Sequence, residues 1–395
     1  MRLLIVGMMN SVHAARWINQ LAGNGWEITL FSTFVEPPNP MLGKLDYVTG
    51  LAPARSKQPG LRMLSLLPWR RGRLRVETWM DRAARGRPWR ERWLEYAIRR
   101  VKPDIVHSIE FQHAGYLCLG ARKRIGGRFP TWIATNWGSD VYLYSRLPEH
   151  RERVIEILRL ADYYSAECRR DVVLARELGF KGKVFSVLPN AGGVDLVRLG
   201  SFAQPGPTSA RKLILVKGYQ HFSGRALFAL EAIRMCADRL RSFAIKVYAA
   251  HPDVRIAAEL LRQDTQLDID CLPFHVDHDE MLRLHGAARI SIGLGISDGI
   301  STSFLEALAM GSFPIQSYTA CADEWVQDGV SGFIVSPGDP ALIAERIVRA
   351  AGDDALVDGA AAINRRTAEE RLDHMKISQA VVDAYNEAFL RERPA

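Results

Sequence analysis

Asp298 and Glu306 stand in the segment SDGISTSFLEALAMG (297–311), with seven residues between them. The run ARISIGLG ahead of them is apolar and β-branched, which predicts a buried parallel strand. LEALAM behind them is a strong helix former. Gly299, Ile300, Ser301, Thr302 and Ser303 are therefore expected at the N-terminus of that helix, where unpaired backbone N–H groups and the helix dipole favour an anion. Asp298 would lie on the strand-side rim of the anion site and Glu306 about two turns into the helix, facing the ligand. A diphosphate flanked by two polyols suits this geometry, because each carboxylate can accept hydrogen bonds from hydroxyl groups. The competing explanation is ordinary capping of an apolar helix by Ser and Asp, with a solvated Glu.

A diphosphate that departs as an anion needs cations and backbone N–H donors around it. Lys217 and Arg225, in VKGYQHFSGRALF, follow directly on the strand KLILVKG. Gly218 and Gly224 bracket the turn between them and would let backbone approach a phosphate closely. The competing explanation is a surface lysine and an arginine that begins a helix. Asp277, His278 and Asp279, in PFHVDHDEML, resemble a metal cluster at first sight. Consecutive residues at a helix start do not face one another, and the pattern is that of N-capping, so no metal is expected.

The elements that must position these groups follow from length and patterning. A chain of 395 residues exceeds what one hydrophobic core usually holds, so two domains are expected. With 48% hydrophobic and 24% charged residues, both should be globular. No apolar run approaches the length needed to span a bilayer. MRLLIVGMMN lacks the long apolar stretch and small-residue cleavage site of a leader, and is expected to form a first β-strand. The five cysteines are scattered, with no C-x-x-C pair. This predicts a reduced, cytoplasmic setting in which they act as small buried apolar groups.

The net charge of +8 is concentrated between Ser56 and Lys102, where Trp69, Trp79, Trp89 and Trp93 are interleaved with arginines. That composition suits an anionic membrane surface. It suits equally a pair of basic helices whose tryptophans join a core. No nucleic-acid-binding motif accompanies it.

Strand-like and helix-like segments alternate through both halves, an α/β pattern of the doubly wound kind that collects ligands at the carboxyl ends of its strands. RLLIVG, WEITLFS, KPDIVHSI and TWIATNW are the main strands expected in the first half. SFAQPGPTSA (201–210) is rich in Pro, Gly and Ser and is read as a linker. KLILVKG opens a second series that includes AIKVYAA, DIDCLPF and the strand carrying the carboxylates.

DGISTSFLEALAMGSFPI resembles the E-x7-E signature of retaining nucleotide-sugar glycosyltransferases of family 4, with Asp298 in place of the first Glu. The resemblance continues through Asp323–Glu324 and DGVSGFIV. It implies a GT-B fold, two Rossmann-like domains facing across a cleft with the C-terminal helix crossing back to the first domain. The implied division is an acceptor-binding domain (1–200) with the basic insert at about 56–102, a linker (201–210), a nucleotide-sugar domain (211–375) and a returning helix (376–395). It further implies that Asp298 holds the donor sugar, Glu306 the ribose, and Lys217 and Arg225 the diphosphate. Here Lys precedes Arg, whereas the family has Arg first. Phe274 and His275 fall where the family seats the nucleotide base. Gly138–Ser139–Asp140 is similar to the family's H-G-S-D motif on the acceptor side, with Trp137 replacing the His. His13, His107 and His113 are the nearest histidines by segment, and His13 and His113 are the candidates for touching acceptor.

The implied activity is transfer of a sugar from a nucleotide-diphosphate donor, a substrate and not a cofactor, to a carbohydrate or lipid-linked acceptor in cell-envelope polysaccharide or glycolipid synthesis. The expected location is the cytoplasm or the inner face of its membrane. A nucleotide-sugar epimerase on the same fold and a non-catalytic sugar-nucleotide-binding scaffold are the other functions compatible with these residues.

Overall fold

Near-continuous apolar runs should form strands buried on both faces, and they do. β1 (Arg2–Gly7) and β2 (Glu27–Ser32) lead, and β3 (Val48–Gly50) and β4 (Leu61–Met63) extend one edge. β5 (Ile105–Ile109) and β6 (Thr131–Thr135) are buried along their whole length, and β7 (Tyr163–Ala166) and β8 (Lys183–Val187) close the other edge. The computed structural model describes residues 1–34, 38–42, 48–50, 61–63, 88–273 and 275–391. Within them the chain divides into two units, 1–192 with 377–395, and 193–376.

The sheet of the first unit is parallel, in the order β4-β3-β2-β1-β5-β6-β7-β8. The second unit holds β9 (Leu213–Lys217), β10 (Ala244–Tyr248), β11 (Asp268–Cys271), β12 (Ala288–Gly293), β13 (Phe313–Ser317) and β14 (Phe333–Val335). Its sheet is also parallel, ordered β11-β10-β9-β12-β13-β14. Strand order reverses between β1 and β5 in one unit and between β9 and β12 in the other, and crevices for ligands open at such points. Ser201–Ala210, expected as a linker, lies inside the second unit, where Thr208 is buried and its hydroxyl donates to the Gly311 carbonyl at 2.8 Å.

The basic insert is described only in part. Trp69, Trp79, Arg70, Arg71, Arg73 and Arg75 lie outside the described residues. Its last portion forms the helix Pro88–Val101, which sinks Leu94, Ala97 and Ile98 into the first unit's core with Trp93 against them. Buried Arg90 donates to the Ser32 carbonyl. Among the described residues, no helix is long and apolar enough to cross a membrane. The five cysteines form no disulfide, and all but Cys271 are buried.

The final helix, His374–Arg391, enters the first unit from Ile377 onward. Ile377, Val381, Tyr385 and Ala388 recur at helical spacing and are buried against Trp17, Ile18 and Phe185. Tyr385 fastens the seam, since its hydroxyl accepts from Trp17 Nε1 at 3.0 Å and bonds His107 Nδ1. His107 Nε2 meets the Thr135 hydroxyl. Burial drives the His107 pKa down to about 3. His107, one of the histidines nearest by segment to the replaced motif His, is thereby a neutral structural link.

His285 is the corresponding buried imidazole of the second unit. It lies on the helix His278–Ala287, 1% exposed, with its ring 5.9 Å from that of Tyr248 and no hydrogen-bond partner for either nitrogen among the described residues. Burial lowers its pKa to about 4.

Tyr385→Phe strands Trp17 Nε1 and His107 Nδ1 without partners and should cost about 1–3 kcal/mol in urea unfolding. His285 binds its proton more readily in the unfolded chain, so its contribution to stability is fully present above pH 6.5 and is lost as pH falls towards about 4. Relative to His285→Leu, the wild-type protein should therefore lose about 2 kcal/mol on going from pH 7.5 to pH 5, measured by urea unfolding of both at each pH.

Candidate functional site

At the β9–β12 reversal two loops are stitched together by backbone. Arg225 N–H donates to the Leu294 carbonyl (3.0 Å), Ile296 N–H to the Ser223 carbonyl (2.8 Å), and Gly224 bridges Gly295. Gly224 has to be glycine, because a Cβ there would come within 2.3 Å of the Tyr219 carbonyl oxygen. Lys217, Arg225 and Asp298 are thereby gathered from segments more than seventy residues apart in the chain.

Lys217, the last residue of β9, sends Nζ to the Ser301 hydroxyl at 2.9 Å, with its ammonium 4.5 Å from the centre of the Tyr219 ring. Ser301 is the N-cap residue of the eight-residue helix Thr302–Ala309, but its side chain makes no cap bond. Its Oγ lies instead 2.9 Å from Ser303 Oγ and accepts from Lys217. The first-turn N–H groups are therefore not taken by the cap side chain, and a cation stands beside the positive end of the dipole. Both features favour an anion between them.

Phe304, Leu305 and Leu308 anchor this helix against Ala368 and Leu372. The helix begins later than expected, so Gly299 and Ile300 precede it, and Ile300 belongs to the same apolar cluster. Glu306 is the fifth helical residue, little more than one turn in. The two turns expected from sequence assumed a start at Gly299. Asp298 is partly exposed and its Oδ1 accepts the Gly299 N–H at 2.9 Å. Arg225 folds its guanidinium onto its own loop, donating to the Gly224 carbonyl at 2.6 Å.

Glu306 is 6% exposed, and its Oε1 lies 2.9 Å from His278 Nε2. The sequence pattern at Asp277–Asp279 is that of capping, and it gives no sign of this contact by His278. Asp277 does cap the helix, accepting the Asp279 N–H at 2.9 Å, whereas His278 reaches across to the next helix. His285, two turns further on, also feels the Glu306 charge. The seven-residue spacing of these histidines, which places both on one helical face, was the available signal. His221 was missed as well. It lies between Lys217 and Arg225 and is subject to the charges of both and of Asp298. Of the base-site candidates, His275 is exposed ahead of the helix His278–Ala287, and Phe274 lies outside the described residues.

In the first unit, the acceptor-side candidates gather where β5 and β6 end. Glu110, at φ 73°, caps the turn after β5 by accepting the N–H groups of His113 (2.8 Å) and Ala114 (2.6 Å). Asp140 is buried and accepts from Trp137 N–H (2.8 Å) and Phe111 N–H (3.1 Å), clasping the two loops. Its pKa is raised well above the usual carboxylate range, by burial first and then by Glu110. His13 stands edge-on to Trp137 at 5.6 Å, and the half-exposed His113 ring packs on Phe34 at 4.7 Å. A cavity of about 750 Å³ opens beside His113, with Arg90, Tyr116, Lys123 and Arg153 in its wall.

Residues 212–353 match the family described as Glycosyl transferases group 1. No individual curated protein matches the chain. Solved structures similar to it include a sucrose-phosphate synthase from Thermosynechococcus elongatus (16% identity, TM-score 0.71, covering 99% of this chain and 100% of that one). An α,α-trehalose-phosphate synthase (UDP-forming) from Burkholderia xenovorans, in complex with glucose-6-phosphate, has 13% identity and TM-score 0.68 over 98% of this chain and 100% of its own. Anabaena HepE, in complex with UDP-glucose, has 12% identity and TM-score 0.66 over 98% and 100%. The whole chain shares the GT-B fold of these structures, and residues 212–353 match a family of glycosyltransferases.

Proposed function

We propose that the chain is a retaining hexosyltransferase that moves a sugar from a nucleotide-diphosphate donor to a carbohydrate or lipid-linked acceptor, in cell-envelope polysaccharide or glycolipid synthesis. The observation that carries this is Lys217 held by Ser301 at the N-terminus of the Thr302–Ala309 helix, with Asp298 and Glu306 on either side of it in sequence. The diphosphate sits on the helix N-terminus against Lys217 and Arg225, which stabilise the charge that grows as it leaves. Glu306, oriented by His278, accepts the ribose hydroxyls, and Asp298 accepts those of the donor sugar. Acceptor attack comes on the face from which the diphosphate departs, and a phosphate oxygen takes the acceptor's proton. The UDP-glucose and glucose-6-phosphate held by the similar structures support a nucleotide-sugar donor and a sugar acceptor. The basic, tryptophan-rich segment supports action on the cytoplasmic face of a membrane.

A panel of nucleotide sugars incubated with an envelope extract tests this reading. Transfer should preserve the donor's anomeric configuration by NMR and should persist in EDTA, because the charge compensation is assigned to side chains and backbone. Donor turnover without any acceptor would instead favour an epimerase.

Glu306→Gln should weaken donor binding by roughly ten- to a hundredfold, since a carboxylate accepting hydroxyls contributes about 1.5–3 kcal/mol. Lys217→Ala should depress kcat by more than it changes donor KM, because the leaving charge is largest in the transition state. Unchanged donor affinity in the first variant and unchanged turnover in the second would remove both residues from the site.

A further inference from the structure

The loop between Lys217 and Arg225 carries an imidazole that the reading above leaves unused. His221 Nδ1 lies 3.2 Å from the backbone N–H of Ser223 and 3.3 Å from its hydroxyl. A backbone N–H can only donate, so Nδ1 is the acceptor, and the hydrogen of the neutral ring is on Nε2. The ring is held among Tyr219 and Phe222, each at 4.9 Å between centres, and His251 at 5.7 Å. The loop itself is fixed to the segment after β12 through Gly224 and Ser223. Burial, then His251 and Lys217, lower the His221 pKa below the usual imidazole value. The ring is therefore neutral near pH 7, a donor that adds no repulsion beside two cations.

We propose that His221 Nε2–H donates a hydrogen bond to the donor's diphosphate, a third side-chain contact beside Lys217 and Arg225. The proposal rests on the glycosyltransferase reading. It differs from a purely structural role for the ring, in which Nδ1 alone matters by holding the turn at Ser223.

Three substitutions separate the two roles. The amide nitrogen of Gln reaches the place of Nε2, the amide oxygen of Asn reproduces Nδ1, and Phe keeps only the ring. If His221 contacts the diphosphate, His221→Gln retains kcat/KM for the donor within about threefold, whereas His221→Asn and His221→Phe lose about tenfold or more. Acceptor KM should stay unchanged throughout, and the thermal midpoint should fall alike in His221→Gln and His221→Phe, which both lack an acceptor for the Ser223 N–H. Imidazole 1H–15N spectra of the wild-type protein give a readout that depends on no variant folding, with an Nε2–H tautomer whose signal shifts on adding UDP, GDP or ADP. Wild-type donor kinetics in His221→Phe, an Asn variant as active as the Gln one, or an Nδ1–H tautomer overturns this proposal while leaving the glycosyltransferase reading intact. Wild-type protein that neither binds a nucleoside diphosphate nor transfers sugar overturns both.

Discussion

Lys217 brings a full positive charge to the positive end of a helix, and much of the second unit serves to hold it there. The ammonium and the helix dipole repel, so the pairing is favourable only when an anion stands between them. What makes it tolerable in the protein alone is the Ser301 hydroxyl, which accepts from Lys217 and gives up the usual cap bond to do so. Around this point the chain has little freedom. Gly224 has no room for a side chain, the β9 and β12 loops share backbone hydrogen bonds, and the helix is pinned by Phe304, Leu305 and Leu308. A loop and helix held by backbone and core in this way would need little reorganisation to accept an anion.

The carboxylates of the two units are used in opposite ways. Glu110 and Asp140 are buried and accept hydrogen bonds from backbone N–H groups, so they shape loops at the ends of β5 and β6. Asp298 accepts from its own neighbour and stays partly open, while Glu306 is aimed across to His278 on another helix. The histidines divide along the same line. His107 and His285 are neutral core groups with strongly lowered pKa values, and His278 and His221 stand at the polar site.

Fold class, most of the strands and the Asp298–Glu306 helix were legible in the sequence because each depends on local pattern, whereas β3 and β4 were not expected and β4 lies in the basic insert that was read as helical. Apolar runs of strand length, a helix-forming stretch after a Ser/Thr-rich entry, and glycines at a turn need only their neighbours to be read. Asp277 as a helix cap belongs with them, since an N-cap bond spans a few residues. The start of the Thr302–Ala309 helix was less legible. Ile300 could continue a helix as readily as precede one, and burial in the cluster with Trp325 and Leu372 decided it.

The partners of the chemistry-bearing groups were decided only by tertiary structure. Lys217 and Ser301 lie 84 residues apart and His278 and Glu306 lie 28 apart, and no local period encodes such pairs. His107 and Asp140 show the same limit from the other side. Their types and segments suited contact with substrate, yet the Tyr385 hydroxyl from the far end of the chain and two backbone N–H groups took them up. Residue type and spacing determined which groups can accept, donate or carry charge. Packing of distant segments determined which of them are spent on holding the fold and which are left facing a site, because burial and hydrogen-bond satisfaction are properties of the assembled core.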